Sequence, residues 1–388
     1  MSCHHPPGNR NLSPLRIFLK GIGIFVFINI LFALLNPPVG RISFYNRFLP
    51  GFVRFPEIDF MAEQVGGLEA VEDISVSNID ALFASHVISA QRKPADEYRV
   101  ILLGDSSVWG ALLKPAQTVS GRINAAQLKT CTGQRVVTYN LGHLPNAVTK
   151  DLVIMTEAMK YQPDLIVWFI SLYAFHPDRQ CNFIVTDNAD RVHELMRAYD
   201  FHFDAGCLAL HEHRQTLWSK TLIGQRRELK TLLLLQLYGV MAQVWGADDP
   251  RTLSTGDLTV RNPPKQSLVF QGYEPPLDLR GVLQLDVLRV SHELAGETPL
   301  VYVNEPIYIN PAKDGDVRYN WLYPHWAYDQ YRDILFEQST REGWIYLDLW
   351  NLVPPEEFSD SVFHRSSEGE VRVAEKLVPF ILREACNK

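Results

Sequence analysis

The sequence alternates short, continuously apolar segments with segments of helical period. The apolar segments are RVILLGD, RVVTYNLG, DLIVWFIS, LVYVNEP and WIYLDLW. Between the first three lie VSGRINAAQLKT and VTKDLVIMTEAMKY, whose apolar residues recur at helical spacing. Strands of a parallel sheet are buried on both faces and are therefore apolar throughout, whereas half-exposed strands alternate. The pattern predicts an α/β fold in which helices cover both faces of a parallel sheet.

Composition excludes several classes of function. The 388-residue chain has a hydrophobic content of 46%, which is enough for a large packed core. Its formal net charge of -7 argues against nucleic-acid binding. Five cysteines are present, with no CxxC pair and no spacing typical of metal ligands, so we expect no metal site. Cys181 and Cys207 can pair in a disulfide if that part of the chain is extracytoplasmic.

Residues 15–35 depart from a soluble pattern. The segment LRIFLKGIGIFVFINILFALL contains 21 residues. A helix of that length extends about 31 Å, which is enough to cross the hydrocarbon core of a bilayer. A secretory signal is the alternative, because the uninterrupted apolar part begins only at Gly21. No small-x-small cleavage motif follows, so we expect an uncleaved transmembrane anchor.

The anchor divides the chain into four predicted parts. Residues 1–14 are an N-terminal tail, 15–35 the anchor, 36–97 a juxtamembrane connector with a helical lead-in, and 98–388 the α/β domain. Positive charges are balanced on the two sides of the anchor and do not decide its orientation. A short tail before a large domain favours a single-pass cell-membrane protein whose domain is extracytoplasmic.

A long interruption at about residues 183–275 separates the third and fourth predicted strands. It contains RRELKTLLLLQLYGVMAQVWG, a helical segment that is apolar nearly all round from Leu232 onward. Two interpretations remain open. The segment is either a helix buried within an inserted subdomain or a helix that faces the membrane or a partner, with its basic residues at headgroup level.

Three residues combine into a candidate catalytic set. The first predicted strand ends in Gly104-Asp105-Ser106-Ser107, where a helix can begin. Near the C-terminus, Asp360 and His364 follow the last predicted strand and precede the terminal helix. A serine nucleophile needs a base, and the base needs an orienting carboxylate. Function in open α/β sheets lies at the carboxyl ends of the strands, where all three residues are expected.

These motifs resemble the SGNH (GDSL-type) hydrolases and acyltransferases. The resemblance covers about residues 98–182 and 297–386, including YNLG after the second strand and QPDLIVWFIS before the third block. It implies a flavodoxin-like three-layer α/β/α fold with Ser106 as nucleophile, His364 as base and Asp360 as its orienter. The resemblance also implies an oxyanion hole made by the serine N–H, the N–H of Gly142 and an Asn side chain of the third block.

The sequence departs from the family pattern at three points. The third block, usually Gly-x-Asn-Asp, is SLYA here, so the oxyanion Asn is absent from its usual place. Pro145, which has no N–H, stands where a second glycine is common. The last motif has one residue more than Asp-x-x-His, unless Ser361 fills the acidic position. The candidates for the missing donor are Ser171, Asn146, Asn182 and Asn304.

The sequence thus predicts a membrane-anchored serine esterase or O-acyltransferase without a cofactor, since acyl transfer through serine needs none. Its expected substrate is an acylated glycan or another ester, for example the acetyl groups of a cell-surface polysaccharide. The alternative is a catalytically impaired scaffold or binding protein. The altered third block and the anchor together resemble those of SGNH family members that accompany a membrane-bound acyltransferase. Such an acyltransferase is the expected partner in either case.

Overall fold

The computed structural model describes residues 13–37, 39–41, 46, 48–49, 51–56, 77–90, 92–212, 216–245, 267–311 and 317–387. Most of the predicted N-terminal tail lies outside the described residues, as do residues 57–76 of the predicted connector and 246–266 of the predicted insertion.

Five parallel strands form a single sheet in the described part of the chain, in the order β2-β1-β3-β4-β5. The strands are β1 (Glu97–Leu103), β2 (Arg135–Asn140), β3 (Leu165–Ile170), β4 (Leu300–Asn304) and β5 (Ile345–Asp348). This is the strand order of flavodoxin-like folds, and the chain reverses its direction of winding beside β1. The predicted α/β fold is confirmed.

Helices surround the sheet along the chain. They are α1 (Pro14–Leu35), α2 (Ile79–Ser85), α3 (Ser106–Trp109), α4 (Val119–Ala125), α5 (Val148–Ala158), α6 (Pro177–Gln180), α7 (Phe183–Asp187), α8 (Ala189–Tyr199), α9 (Ala205–Glu212), α10 (Arg226–Trp245), α11 (Asp286–Ala295), α12 (His325–Glu342) and α13 (Ser367–Cys386).

Two cores lie on opposite faces of the sheet. Val100 and Leu102 of β1 pack in the core that α4 and α13 cover. Ile101 and Leu103 point the other way, into the larger core that includes α2, α5, α11 and α12. Side chains alternate between the faces of a strand, so a strand covered on both sides must be apolar at every position. The fold therefore has three layers.

Helix α1 is long and apolar enough to cross a membrane, and it is the one such helix in the described residues. The sequence of α10 allows two interpretations, and the structure buries only one side of the helix. Leu232 and Leu235 are buried in the larger core, whereas Leu233 and Leu237 are exposed. The helix is thus neither wholly enclosed nor wholly free.

Two disulfides link the described cysteines. Cys181 pairs with Cys207, as the sequence allowed. Cys131 pairs with Cys386 across a sequence separation of 255 residues, which the sequence did not indicate. The second bond joins the loop before β2 to the end of α13, and both elements border the smaller core.

Replacing Cys131 by Ser should lower the free energy of unfolding by about 2–5 kcal/mol, because the bond closes a long loop in the unfolded chain. Denaturant unfolding without reductant measures the effect. Cys3→Ser is the matched control and should leave the midpoint unchanged. Equal midpoints for the Cys131→Ser variant and the control would contradict the pairing.

Candidate active site

A glycine turn places Ser106 at the start of a helix. Strand β1 ends at Leu103, and Gly104 follows with a φ of +151°. A Cβ at Gly104 would lie 2.6 Å from Cγ2 of Val108, so the packing also requires glycine. Asp105 caps α3 by accepting a hydrogen bond from the N–H of Ser107 at 2.8 Å. Ser106 is therefore the first residue of α3, at the carboxyl end of β1.

The structure brings Ser106, His364 and Asp360 together. Oγ of Ser106 lies 2.8 Å from Nε2 of His364, and Nδ1 of the same ring lies 2.8 Å from Oδ1 of Asp360. An imidazole that donates from Nδ1 to a carboxylate keeps its lone pair at Nε2, facing the hydroxyl. The arrangement has the contacts of a Ser-His-Asp triad.

The loop between β5 and α13 holds the imidazole and the carboxylate. The N–H of Ser359 donates to the carbonyl oxygen of His364 at 2.8 Å and closes the loop around both side chains. The Asp360 side chain is 51% exposed and that of His364 is 16% exposed. Partial burial raises the pKa of Asp360, but the hydrogen bond and charge of His364 outweigh burial and leave the pKa below its ordinary value. The carboxyl group is thus ionised at neutral pH, as an orienting group must be.

A buried ionic network lies beneath this surface. Ser107 donates its hydroxyl hydrogen to Glu305. Nη1 of Arg365 lies 3.3 Å from the same carboxylate, and its Nε donates to Glu370 at 2.6 Å. None of the four side chains is more than slightly exposed. Buried charges require such pairing, because removal from water is costly.

The network connects the neighbours of Ser106 and His364. Ser107 follows Ser106, and Arg365 follows His364, so Glu305 spans the two segments. Burial and the nearby charge of Asp105 raise the pKa of Glu305 well above its ordinary value, although Arg365 opposes the shift. The separation between the hydroxyl and the imidazole is therefore set by packed, bonded groups on both sides.

Two backbone N–H groups are considered for an oxyanion hole. As the first residue of α3, Ser106 has an N–H that the helix does not satisfy internally. Gly142 lies against the same helix, where a Cβ would approach the N atom of Trp109 to 2.4 Å. The N–H of Gly142, however, donates to Oδ1 of Asn140 at 3.0 Å. This donor is thus already engaged.

The remaining candidate donors lie in different places. Nδ2 of Asn146 donates to Oγ of Ser171 at 3.3 Å, so the structure brings these two together directly after β3. Asn304 instead donates to Asp348 at 2.8 Å and accepts from Tyr328 at 3.2 Å. The fourth candidate, Asn182, caps α7. In Asn304 and in Asn182, the side-chain amide oxygen and the side-chain amide nitrogen both make hydrogen bonds within the fold.

Sequence reasoning missed most of the buried network. The pairing of Glu305 with Arg365 was not predicted from the sequence. A signal was present, since Arg365 directly follows the candidate base and Glu370 stands in the first turn of the next helix. Charged residues are rarely fully buried unless they are paired, so a charged residue directly after an apolar strand, such as Glu305, indicates a buried partner.

Comparisons with known proteins were made for the whole chain. No protein-family model matches it, and no curated protein matches it. Among solved structures, a Lactobacillus plantarum protein aligns with a TM-score of 0.33 and 12% identity over 73% of this chain and 95% of its own. A carbohydrate acetylesterase family member from Sinorhizobium meliloti aligns with a TM-score of 0.33 and 10% identity over 74% and 98%. These similarities carry no argument about function, which rests on the site itself.

Removing the central carboxylate of the network should destabilise the fold. Glu305→Leu leaves Arg365 and Ser107 without this buried partner, so we expect a loss of about 3–5 kcal/mol in unfolding free energy. Denaturant unfolding gives the value. Glu337→Leu is the matched control, because its pair with Arg280 is exposed and the loss should be far smaller. Equal losses in the two variants would show that the network does not stabilise the fold.

The stability difference between the natural protein and Glu305→Gln should depend on pH. Because the folded-state pKa is raised above the ordinary 4.5, the folded state holds this proton more tightly than the unfolded state. The natural protein should therefore lose stability relative to the amide variant as pH rises from 4.5. Unfolding curves at a series of pH values measure the difference. A difference that grows in favour of the natural protein over this range would refute the raised pKa.

Proposed function

We propose that the protein is a membrane-anchored serine esterase or O-acyltransferase of the SGNH type. The observation that carries the proposal is the chain of contacts from Ser106 through His364 to Asp360, with both distances at 2.8 Å. Such a chain activates a hydroxyl that is otherwise a weak nucleophile. It is formed from two segments 258 residues apart, so local sequence does not account for it.

The reaction follows from the roles of the three groups. Nε2 of His364 takes the proton as Oγ of Ser106 bonds to the ester carbonyl carbon. Collapse of the tetrahedral intermediate breaks the bond to the alcohol oxygen, which leaves with the proton from His364. Water or a glycan hydroxyl then attacks the acyl-serine, and its proton returns through His364 to Ser106. Asp360 stabilises the imidazolium at both stages.

The transition state needs donors for the developing oxyanion. The N–H of Ser106, at the N-terminus of α3, is the donor that the fold supplies directly. Ser171 follows β3, where the SGNH pattern has its third block, and Asn146, which precedes α5, donates to it. Loss of one donor costs about 2.7–4 kcal/mol in known enzymes. An enzyme with this altered third block is therefore expected to be slow rather than inactive.

An acylated polysaccharide at the cell surface is the substrate class that fits best. The Asp360 side chain is half exposed, so the triad lies at the protein surface where a long polymer can approach. The anchor holds the domain close to the membrane, where such polymers are made and modified. The groups transferred or removed are small acyl groups, acetyl above all.

The cysteines support an extracytoplasmic domain. Disulfides persist in oxidising compartments, and both bonds lie in the part of the chain that follows α1. The fifth cysteine, Cys3, precedes α1 and would then face the cytoplasm. Helix α1 also contacts the domain through Asn29, which argues against removal of the helix as a cleaved signal.

A scaffold that partners a membrane-bound acyltransferase is the second candidate function. The observation that favours it is the third block, where Tyr173 and Ala174 stand in place of Asn and Asp, and where Ser171 is buried in contact with Asn146. Such a protein would bind the polymer and present it to the partner without forming an acyl-serine. The two functions differ in whether Ser106 is reactive.

A fluorophosphonate probe separates the two functions. The full-length protein in detergent should be labelled at Ser106, and peptide mass mapping should locate the label. Labelling should disappear in Ser106→Ala and in His364→Ala, because the hydroxyl reacts only when the imidazole accepts its proton. Ser361→Ala, in the same loop as the base, is the matched control and should label normally. A folded protein that takes no label would favour the scaffold.

Asp360→Asn should lower kcat for hydrolysis of an aryl acetate by up to about 10⁴-fold, with KM little changed, because the amide no longer holds the imidazole in the productive tautomer. Steady-state kinetics measure both constants. Glu356→Gln, in the loop preceding this site, serves as the control and should leave kcat unchanged. A variant that keeps the full kcat would exclude Asp360 from the triad.

A further inference from the structure

Helix α1 is not free along its whole length. Most of its large apolar side chains are exposed, but Asn29 and Ala33 are buried. Nδ2 of Asn29 donates to the carbonyl oxygen of Phe25 at 2.9 Å, and its Oδ1 accepts from the N–H of Ile223 at 3.2 Å. Asn29, in the last two turns of α1, therefore contacts the segment that precedes α10.

The free part of α1 is too short to cross a bilayer alone. Residues 14–28 lie before the first buried position, and fifteen residues extend about 22 Å as a helix. The hydrocarbon core is about 30 Å thick. The remaining 8 Å or so corresponds to the turns that carry Asn29 and Ala33. A helix that spans the membrane thus brings Asn29, and with it the segment that Asn29 contacts at Ile223, below the surface of the leaflet.

The contact segment, residues 216–225, satisfies part of its backbone without water. Five of its ten N–H groups donate within the segment or to α1: Ser219 to Thr216 Oγ1, Thr221 to the Trp218 carbonyl, Gly224 to Thr221 Oγ1, Gln225 to the Thr221 carbonyl, and Ile223 to Asn29. Lipid offers no partners, so backbone groups that enter it must be satisfied by the protein.

Two adjacent side chains of the contact segment are exposed and suited to lipid. Leu217 is 61% exposed and Trp218 is 62% exposed. Tryptophan is enriched where a protein crosses the membrane interface. The charged residues Arg226, Glu228 and Lys230 follow immediately at the start of α10 and are exposed. The contact segment itself contains one charged residue, Lys220, which is partly exposed and whose long side chain can extend to the headgroups while its stem lies along apolar surface.

We propose that residues 216–225 enter the leaflet on the domain's side of the membrane, beside the last two turns of α1, with Leu217 and Trp218 in contact with lipid. The domain then contacts the bilayer at two points instead of being attached to it by a single helix. Its rotation about the anchor is therefore restricted. The proposal rests on the membrane anchoring in the proposed function, but not on the esterase activity.

Nitroxide accessibility tests the proposal on the full chain in palmitoyl-oleoyl phosphatidylcholine vesicles. In a Cys3→Ser background, single labels are placed at Trp218→Cys, Leu217→Cys and Phe25→Cys. Phe336→Cys, an exposed position on α12, is the aqueous control. Labels at 217, 218 and 25 should collide freely with oxygen and lose their accessibility to a water-soluble nickel complex, whereas the label at 336 should show the reverse.

Each other result overturns the proposal in a recognisable way. If 25 is in lipid but 217 and 218 behave like 336, the contact segment lies in water and only the anchoring survives. If 217 and 218 are shielded from both reagents, protein rather than lipid covers them. If 25 is itself accessible to nickel, the anchoring fails together with the inference.

Discussion

The buried pairing of Arg365 with Glu305 and Glu370 is the interaction on which the rest of the site depends. Oε2 of Glu370 also accepts from the N–H of Val119 at 2.7 Å, where α4 begins. The guanidinium of Arg365 thus links the ends of β4, α3 and α13, and Glu370 extends the link to α4. These elements meet at the carboxyl edge of the sheet, where β4 and α13 lie far in sequence from α3 and α4 and from each other. The pairing fixes their relative positions in a region where apolar packing alone would leave freedom.

Much of the fold and part of the site followed from the sequence. Continuous apolar runs gave the strands because a doubly covered sheet requires them, and the Gly104 turn indicated where α3 begins. The Cys131 to Cys386 bond was not foreseeable, because the pairing of distant cysteines depends on how α13 crosses the sheet. The half-buried state of α10 was left open for a similar reason. The sequence of a helix that is apolar on all sides does not indicate which side packs in a core.

The candidate site was likewise predictable from the sequence only in part. Ser106, His364 and Asp360 were identified from residue type and position after predicted strands, and the structure places them in contact. The engagement of Gly142 by Asn140 could not be predicted, because it depends on a side-chain rotamer next to α3. The expected oxyanion donors are accordingly the part of the candidate site that departs most from the SGNH pattern. It is also the feature on which catalyst and scaffold differ.

The most direct test of the account is detection of the acyl-enzyme. Rapid acid quenching of the full-length protein during turnover of an aryl acetate, followed by peptide mass spectrometry, would identify the acylated residue. The account predicts one acetyl group on the peptide that contains Ser106, formed and lost at rates compatible with turnover. Turnover without acetylation of Ser106, or with acetylation only at another residue, would contradict it.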